Sequence, residues 1–198
     1  DDGLARPILI GRQSIIEAQF KELGLRLEIG KDVELVDPQN FPQYTDYWTH
    51  YLDLTVRNGV TPNRARELMR TNATVIGAVM VKRGDADALV CGTYGQYKSH
   101  VDHLRQVIGK AKGVREISGL SLVILSRGTY FICDTHVTVE PSALEIAEIV
   151  RLSAAKVRRF GITPKVALLS HSNFGTSNHA TAVKMREAVA LLHDSDPE

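Results

Sequence analysis

The 198-residue chain has only two cysteines, one tryptophan and a formal net charge of +1. So few cysteines exclude a disulfide framework and a zinc-ligand spacing. Cys91 and Cys133 each sit in an apolar run, so both are expected as reduced core residues. A charge so near zero gives no global field, which argues against a nucleic-acid or anionic-membrane partner. No run approaches 18 consecutive apolar residues and no signal-peptide pattern is present, so no membrane span and a cytoplasmic setting are expected. Internal repeats and low-complexity tracts are missing as well. What is present is ordinary globular composition, 43% hydrophobic and 24% charged, in a chain long enough for one sizeable core or two small lobes. Residues 1–6 read as the last turn of a helix feeding a strand, and residues 194–198 stop just after a helix. The expectation is a piece of a larger protein, truncated at both ends.

Strand and helix signals alternate. Apolar runs at residues 7–11, 33–38, 87–92 and 166–169 read as buried strands. Residues 120–125 and 129–133, around Ser126-Arg127-Gly128, read as a hairpin. Ser14-x-x-Glu17 and Ser142-x-x-Glu145 are capping-box patterns opening helices that end near Gly24 and Gly161. Thr61-Pro62 supplies an N-cap and an N1 proline. Further helices are expected over residues 41–57, over 75–84, over 100–108 with Val101, Leu104 and Ile108 on one face, and last with Ala182, Met185, Val189 and Leu192 on one stripe. The fold class is therefore α/β, with mostly parallel sheets and flanking helices. The change to a hairpin places a lobe boundary near residue 114: residues 1–113, then 114–198.

In open α/β sheets, ligands sit in the crevice beyond the carboxyl ends of the strands. Three polar loops belong there: residues 92–100, 134–138 and 170–177. Gly92-Thr-Tyr-Gly-Gln-Tyr97 carries two tyrosines and a glutamine on a glycine-hinged loop, suited to a flat ligand, though the tyrosines can equally pack over the sheet end. Ser170-His-Ser-Asn-Phe-Gly-Thr-Ser177 can be read three ways. As a nucleophile site it lacks the G-x-S-x-G elbow. As an anion cradle its small residues expose backbone N–H groups before a helix N-terminus, yet it matches no phosphate-loop fingerprint. The same residues also make an ordinary strand-to-helix turn. His100 and His103, three apart, read as a solvated helix face rather than metal ligands, and no metal site is expected. Asp134 and His136 read as turn residues, and Asp85 and Asp87 as the residues that begin a strand.

The segments Gly84-Asp-Ala-Asp-Ala-Leu-Val, Gly92-Thr-Tyr-Gly-Gln-Tyr97, Pro141-Ser-Ala-x-Glu-Ile-Ala-Glu, Phe160-Gly-Ile-x-Pro and Val166-Ala-Leu-Leu-Ser-His-Ser-Asn-Phe-Gly-Thr-Ser177 resemble, in order, the phosphate acetyl/butyryltransferase (phosphotransacetylase) family. The two loops are most similar to those in the C-terminal domain of bacterial NADP-dependent malic enzymes. The resemblance implies two phosphotransacetylase-like, isocitrate-dehydrogenase-like lobes with a ligand cleft between them. It also implies an acyl-CoA effector, self-association into a homo-oligomer and malic-enzyme catalytic domains as partners. NADP and a divalent metal are expected only in those catalytic domains. This chain itself is expected to hold no cofactor.

The resemblance assigns the acyl-CoA or phosphate cleft to Thr93, Tyr94, Gln96, Tyr97, Ser170, Ser172, Gly175, Thr176 and Ser177, with Lys98 and Arg105 as phosphate partners. No residue is assigned as catalytic. In Tyr51-Leu-Asp-Leu-Thr-Val-Arg-Asn-Gly59, Thr55 stands where the family's Y-x-E-L-R-K-x-K-G segment has arginine, leaving Arg57 nearby. The family's later serine–arginine and aspartate segments are expected beyond residue 198. Lacking a positioned cation, transfer through a phosphate-bearing transition state is disfavoured. The functional expectation is a regulatory, acetyl-CoA-sensing part of a malic enzyme. The alternatives are a working phosphate acetyltransferase and a purely structural dimerisation module with exposed apolar faces on residues 41–51 and on the last helix.

Overall fold

The computed structural model describes residues 3–134 and 136–195, Phe174 without its side chain. Two compact units divide the chain, Asp1–Gly109 and Lys110–Glu198. The class is α/β. The first unit begins with β1 (Ile8–Ile10), α1 (Gln13–Glu22) and β2 (Glu34–Val36). The two strands pair in parallel, with Leu9 opposite Leu35. Helices α2 (Tyr44–Thr55), α3 (Pro62–Thr71), α4 (Ala73–Arg83) and α5 (Tyr97–Val107) follow.

The centre of this unit is α4. Its sequence is apolar on every side, and a helix of that kind has to be buried all round. Thr74 through Met80 are all buried. Phe41, Tyr47 and Tyr51 of the aromatic segment join the same core, so the face expected to be exposed on residues 41–51 is largely turned inward. Gly77 keeps α4 thin where Leu89 crosses it: a β-carbon there would stand 2.5 Å from Leu89 Cδ1 and 3.2 Å from Ile10 Cδ1. Both helix starts are side-chain capped. Thr61 Oγ1 accepts from Arg64 N at 3.3 Å, and Asn72 Oδ1 accepts from Val75 N at 3.0 Å.

The second unit carries the hairpin β3 (Leu120–Leu125) and β4 (Gly128–Cys133), then α6 (Ala143–Arg158) and α7 (Ala180–Ser195). The hairpin is antiparallel, as expected, with Val123 opposite Tyr130. Ser142 and Glu145 form the expected capping box. Ile146, Ile149, Val150 and Val157 of α6 are buried, with Ala182 and Ala188 of α7. Those two alanines let the helices approach closely. Val189, expected on the inner stripe, remains 39% exposed.

Several expectations are corrected. Residues 3–6 are not helical, and residues 1–2 of that expected turn lie outside the described residues. Helix α1 opens at Arg12, not at Ser14: Asp37 accepts the N–H of Gln13 at 3.3 Å, and Glu17 takes the Gln13 amide at 2.7 Å. A carboxylate from the end of β2 has replaced the local box. Residues 87–92 and 166–169 form no strand. A strand needs a ladder neighbour to take its backbone groups, and none stands beside either segment among the described residues. Leu89 docks on α4 while Val90 is 99% exposed and Leu169 79% exposed. Since residue 87 begins no strand, Asp85 serves otherwise: it accepts from Tyr47 Oη at 2.8 Å and from Arg83 Nε at 2.9 Å. Cys91 and Cys133 are exposed rather than core residues. No helix among the described residues is long and apolar enough to cross a membrane.

Candidate functional site

In the loop of the first unit, Gly92, Thr93 and Gly95 all have positive φ, +129°, +63° and +92°. Glycine adopts that region freely, but a β-branched threonine at +63° is strained. Thr93 Oγ1 donates to its neighbour's carbonyl, Gly92 O, at 2.8 Å. The tight path leaves Tyr94 90% exposed.

His100 anchors the loop. Its Nε2 lies 2.8 Å from Tyr94 O, and its Nδ1 lies 2.8 Å from Thr74 Oγ1. A carbonyl only accepts, so Nε2 carries the proton, and in the neutral ring Nδ1 accepts from the Thr74 hydroxyl. One turn on, Asn72 Nδ2 meets His103 Nε2 at 3.1 Å. Asn72 Oδ1 is already taken by the α4 cap, so the amide donates and His103 Nδ1 carries the proton. That atom is buried without a hydrogen-bond partner among the described residues. Burial lowers the His103 pKa, helped by the nearby His100 and Arg64 and opposed by Asp102. The pair is therefore no solvated face. The two rings tie α5 to the start of α4.

Helix α5 begins at Tyr97, three residues earlier than expected. Gln96 is its N-cap, without a side-chain cap bond. Tyr97 and Lys98 thus belong to the helix and only residues 92–96 to the loop. Lys98 Nζ reaches Asp102 Oδ2 at 3.1 Å, one turn along. Arg105 stands in the last turn of α5, about 12 Å along the axis from Tyr97 at the usual helical rise. The structure gathers Thr93, Tyr94, Gln96 and Tyr97 and leaves Arg105 at the far end.

The loop of the second unit is held from within. Ser170 Oγ accepts from Ser172 N at 3.1 Å, Ser172 Oγ accepts from Ser177 N at 3.0 Å, and Thr176 N donates to Asn173 O at 3.2 Å. Three of the backbone donors a cradle would use are thereby spent. Gly175 turns at φ +68°. Across it lies Arg186 from α7, whose Nη1 donates to Gly175 O at 2.5 Å and to Ser177 O at 2.6 Å. Its Nη2 reaches Asn178 Oδ1 at 3.4 Å. The loop is therefore a hydrogen-bonded knot: Ser170, Ser172 and Ser177 are linked in series, Thr176 closes onto Asn173, and the guanidinium ties Ser177 to Gly175. Sequence reasoning did not find Arg186, because the contact exists only once α7 folds back over residues 175–178.

His171 does not activate a serine here. Its Nδ1 lies 3.1 Å from Thr181 Oγ1, the same hydroxyl that faces His179 Nδ1 at 3.2 Å. Asp134 holds the remaining loop as a turn residue should. Its carboxylate accepts from the N–H groups of Gly119, Val137 and Thr138 at 3.2, 3.2 and 2.8 Å. Burial raises its pKa, and these hydrogen bonds outweigh that to leave it lowered. Thr135 lies outside the described residues.

The sequence pattern of the phosphate acetyl/butaryl transferase family matches residues 1–198. The chain belongs to that family. Its curated relatives include the NAD-dependent malic enzyme of Rhizobium meliloti, 49% identical over 100% of this chain and 26% of that protein. The NADP-dependent malic enzyme of Escherichia coli is 46% identical over 99% of this chain and 26% of its own length. The phosphate acetyltransferase of Synechocystis is 32% identical over 99% and 28%. The chain thus spans about a quarter of the malic enzymes it matches. Among solved structures, a phosphotransacetylase from Streptococcus pyogenes superposes with TM-score 0.84 at 26% identity, covering 100% of this chain and 59% of that one. The EutD phosphotransacetylase from Staphylococcus aureus gives 0.80 at 28%, covering 96% and 56%.

Proposed function

We propose that this family member is the phosphotransacetylase-like regulatory and oligomerisation segment of a malic enzyme, and that it senses acetyl-CoA. The observation that carries the reading is the contrast in identity over nearly the whole chain, 49% and 46% to malic enzymes against 32% to a phosphate acetyltransferase. The geometry is consistent with sensing rather than transfer. Acyl transfer to phosphate needs cations aimed at developing negative charge. Both Nη atoms of Arg186 are directed at Gly175 O, Ser177 O and Asn178 Oδ1 rather than into open space, and Lys98 is paired with Asp102. Thr55, at the position of the family's arginine, is fully buried with its hydroxyl given to Tyr51 O at 2.7 Å.

In this reading each loop is a candidate contact taken by itself: Tyr94 and Tyr97 of the first unit offer flat faces to a nucleotide or pantetheine, and residues 170–177 of the second offer small polar groups to a phosphate. Regulation follows if acetyl-CoA binds two states of the assembly unequally. The parent chain would convert malate to pyruvate, with its NADP and divalent metal held in its other domains. Calorimetric titration of this chain with acetyl-CoA, with adenosine as control, tests the binding step. Saturable heat that adenosine does not reproduce, weakened in Tyr94→Ala and Ser172→Ala, is the expected result. Heat no greater than that of adenosine contradicts it. The family's own name favours a second reading, acetyl transfer to phosphate. Acetyl phosphate formed from acetyl-CoA and phosphate by this chain would establish that reading instead.

A further inference from the structure

A cavity of about 560 Å³, open to solvent and lined by no residue of either loop described above, lies at the C-terminal end of the parallel pair. Its walls include Gly11 and Arg12 after β1, Pro38 and Gln39 after β2, and Arg70 and Thr71 at the end of α3. This is the edge of a parallel α/β layer where ligands are received, and the volume lies in the range of small-molecule sites, roughly 300 to 1,000 Å³.

The charge of the wall narrows the ligand. Arg12 and Arg70 both line it, and among the described residues neither is paired with a carboxylate. Arg70 is held firmly all the same. Its Nη1 donates to Gln39 O at 2.9 Å and to Pro38 O at 3.4 Å, and its guanidinium lies 4.0 Å from the Tyr44 ring centroid. Backbone carbonyls and a ring fix its position without neutralising it. Arg12 comes from the residue that opens α1, so its charge adds to the positive end of that helix.

The nearby acid has a defined place as well. Asp37 follows β2, accepting from Gln13 N at 3.3 Å and from Gln39 N at 2.9 Å. A carboxylate has about four acceptor positions, so it retains capacity. An acid at the end of the second strand of a β–α–β unit is where nucleotide folds receive a ribose hydroxyl. We propose that this cavity binds a nucleotide, its phosphates between Arg12 and Arg70, with Asp37, which precedes the wall residues Pro38 and Gln39 but is not itself one of them, at its margin. A lone phosphate would fill little of the volume, whereas Ile10, Pro38 and Ala73 give the rest of a nucleotide an apolar wall. The inference goes beyond the acyl-CoA reading and does not depend on it, since Arg12 belongs to neither loop.

The test is calorimetric titration of the whole chain with ADP, adenosine, inorganic phosphate and coenzyme A. ADP is expected to bind saturably and adenosine not, with phosphate displacing ADP only at much higher concentration. Arg12→Glu, at a surface position whose guanidinium is given no hydrogen bond or ion pair among the described residues, is expected to weaken ADP at least tenfold, roughly the loss of one charge-assisted contact. Arg127→Ala, in the hairpin turn of the other unit, is expected to leave it unchanged. Coenzyme A competing with ADP in wild type but not in Arg12→Glu would identify the nucleotide as that of coenzyme A. Absence of competition would identify a free nucleotide. ADP binding no better than adenosine, or undiminished in Arg12→Glu, overturns the proposal. Equal affinity for ADP and inorganic phosphate overturns the nucleotide assignment.

Discussion

At the scale of single residues, buried polar groups answer to pH in opposite directions. His103 has its pKa lowered by burial, so the folded state holds the neutral ring and the unfolded chain takes up the proton first. Its stabilisation is present above the ordinary value near 6.5 and is lost as pH falls toward the folded value. Denaturant melts run from pH 7 down to pH 5 should show stability declining, and His103→Gln should flatten the decline. Tyr47 runs the other way. Burial first, then the hydrogen bond and charge of Asp85, push its pKa to about 12. The stabilisation it gives is present below 10 and is lost as pH rises from about 10 to about 12. Spectroscopic titration of the tyrosines in Asp85→Asn should find this high-pH ionisation moved downward. Neither group was legible as such in the sequence. His100 and His103 look like surface residues until α4 supplies Thr74 and Asn72, and Asp85 looks like the start of a strand until Tyr47 arrives from α2. Arg186 belongs to the same class of contact. Replacing it with methionine should raise amide exchange over residues 172–178 while lowering global stability by only about 1 kcal/mol, because the bonds lie at the surface.

At the scale of elements, most local signals read well, the box at Ser14 and Glu17 excepted, and two of the expected strands did not form. The box at Ser142 and Glu145, the Thr61 cap before Pro62 and the hairpin around residues 126–128 are each set by neighbours in sequence, and each appears. The two strands that fail, residues 87–92 and 166–169, have the composition of strands. Whether such a run becomes one depends on a partner that composition does not name. In its place Leu89 packs into the groove left by Gly77. Gly77→Ala should therefore destabilise the first unit only slightly, by less than about 1 kcal/mol, because the terminal methyls of Leu89 and Ile10 that its β-carbon meets can swing aside and helix propensity offsets part of the overpacking. Chemical denaturation of Gly77→Ala, Leu89→Ala and the double variant checks the cause. Removing Leu89 should relieve the clash, so the double variant should be less unstable than the two single losses added together.

At the scale of the whole molecule, the α/β class and the family were legible, because apolar periodicity and five ordered motifs extend across the chain. The candidate loops were located too, but not their internal condition. Spacing gives no warning that three donors of residues 170–177 are spent on one another, or that Thr93 takes a positive φ. On the proposed reading, that condition suits the loops to sensing rather than to transfer. The central claim concerns regulation, and the most direct measurement is malate turnover by the full-length protein with and without acetyl-CoA. The account predicts that acetyl-CoA changes the rate, and that Tyr94→Ala and Ser172→Ala shift the effective concentration upward while the rate without acetyl-CoA stays near wild type. A rate indifferent to acetyl-CoA at every concentration would contradict it.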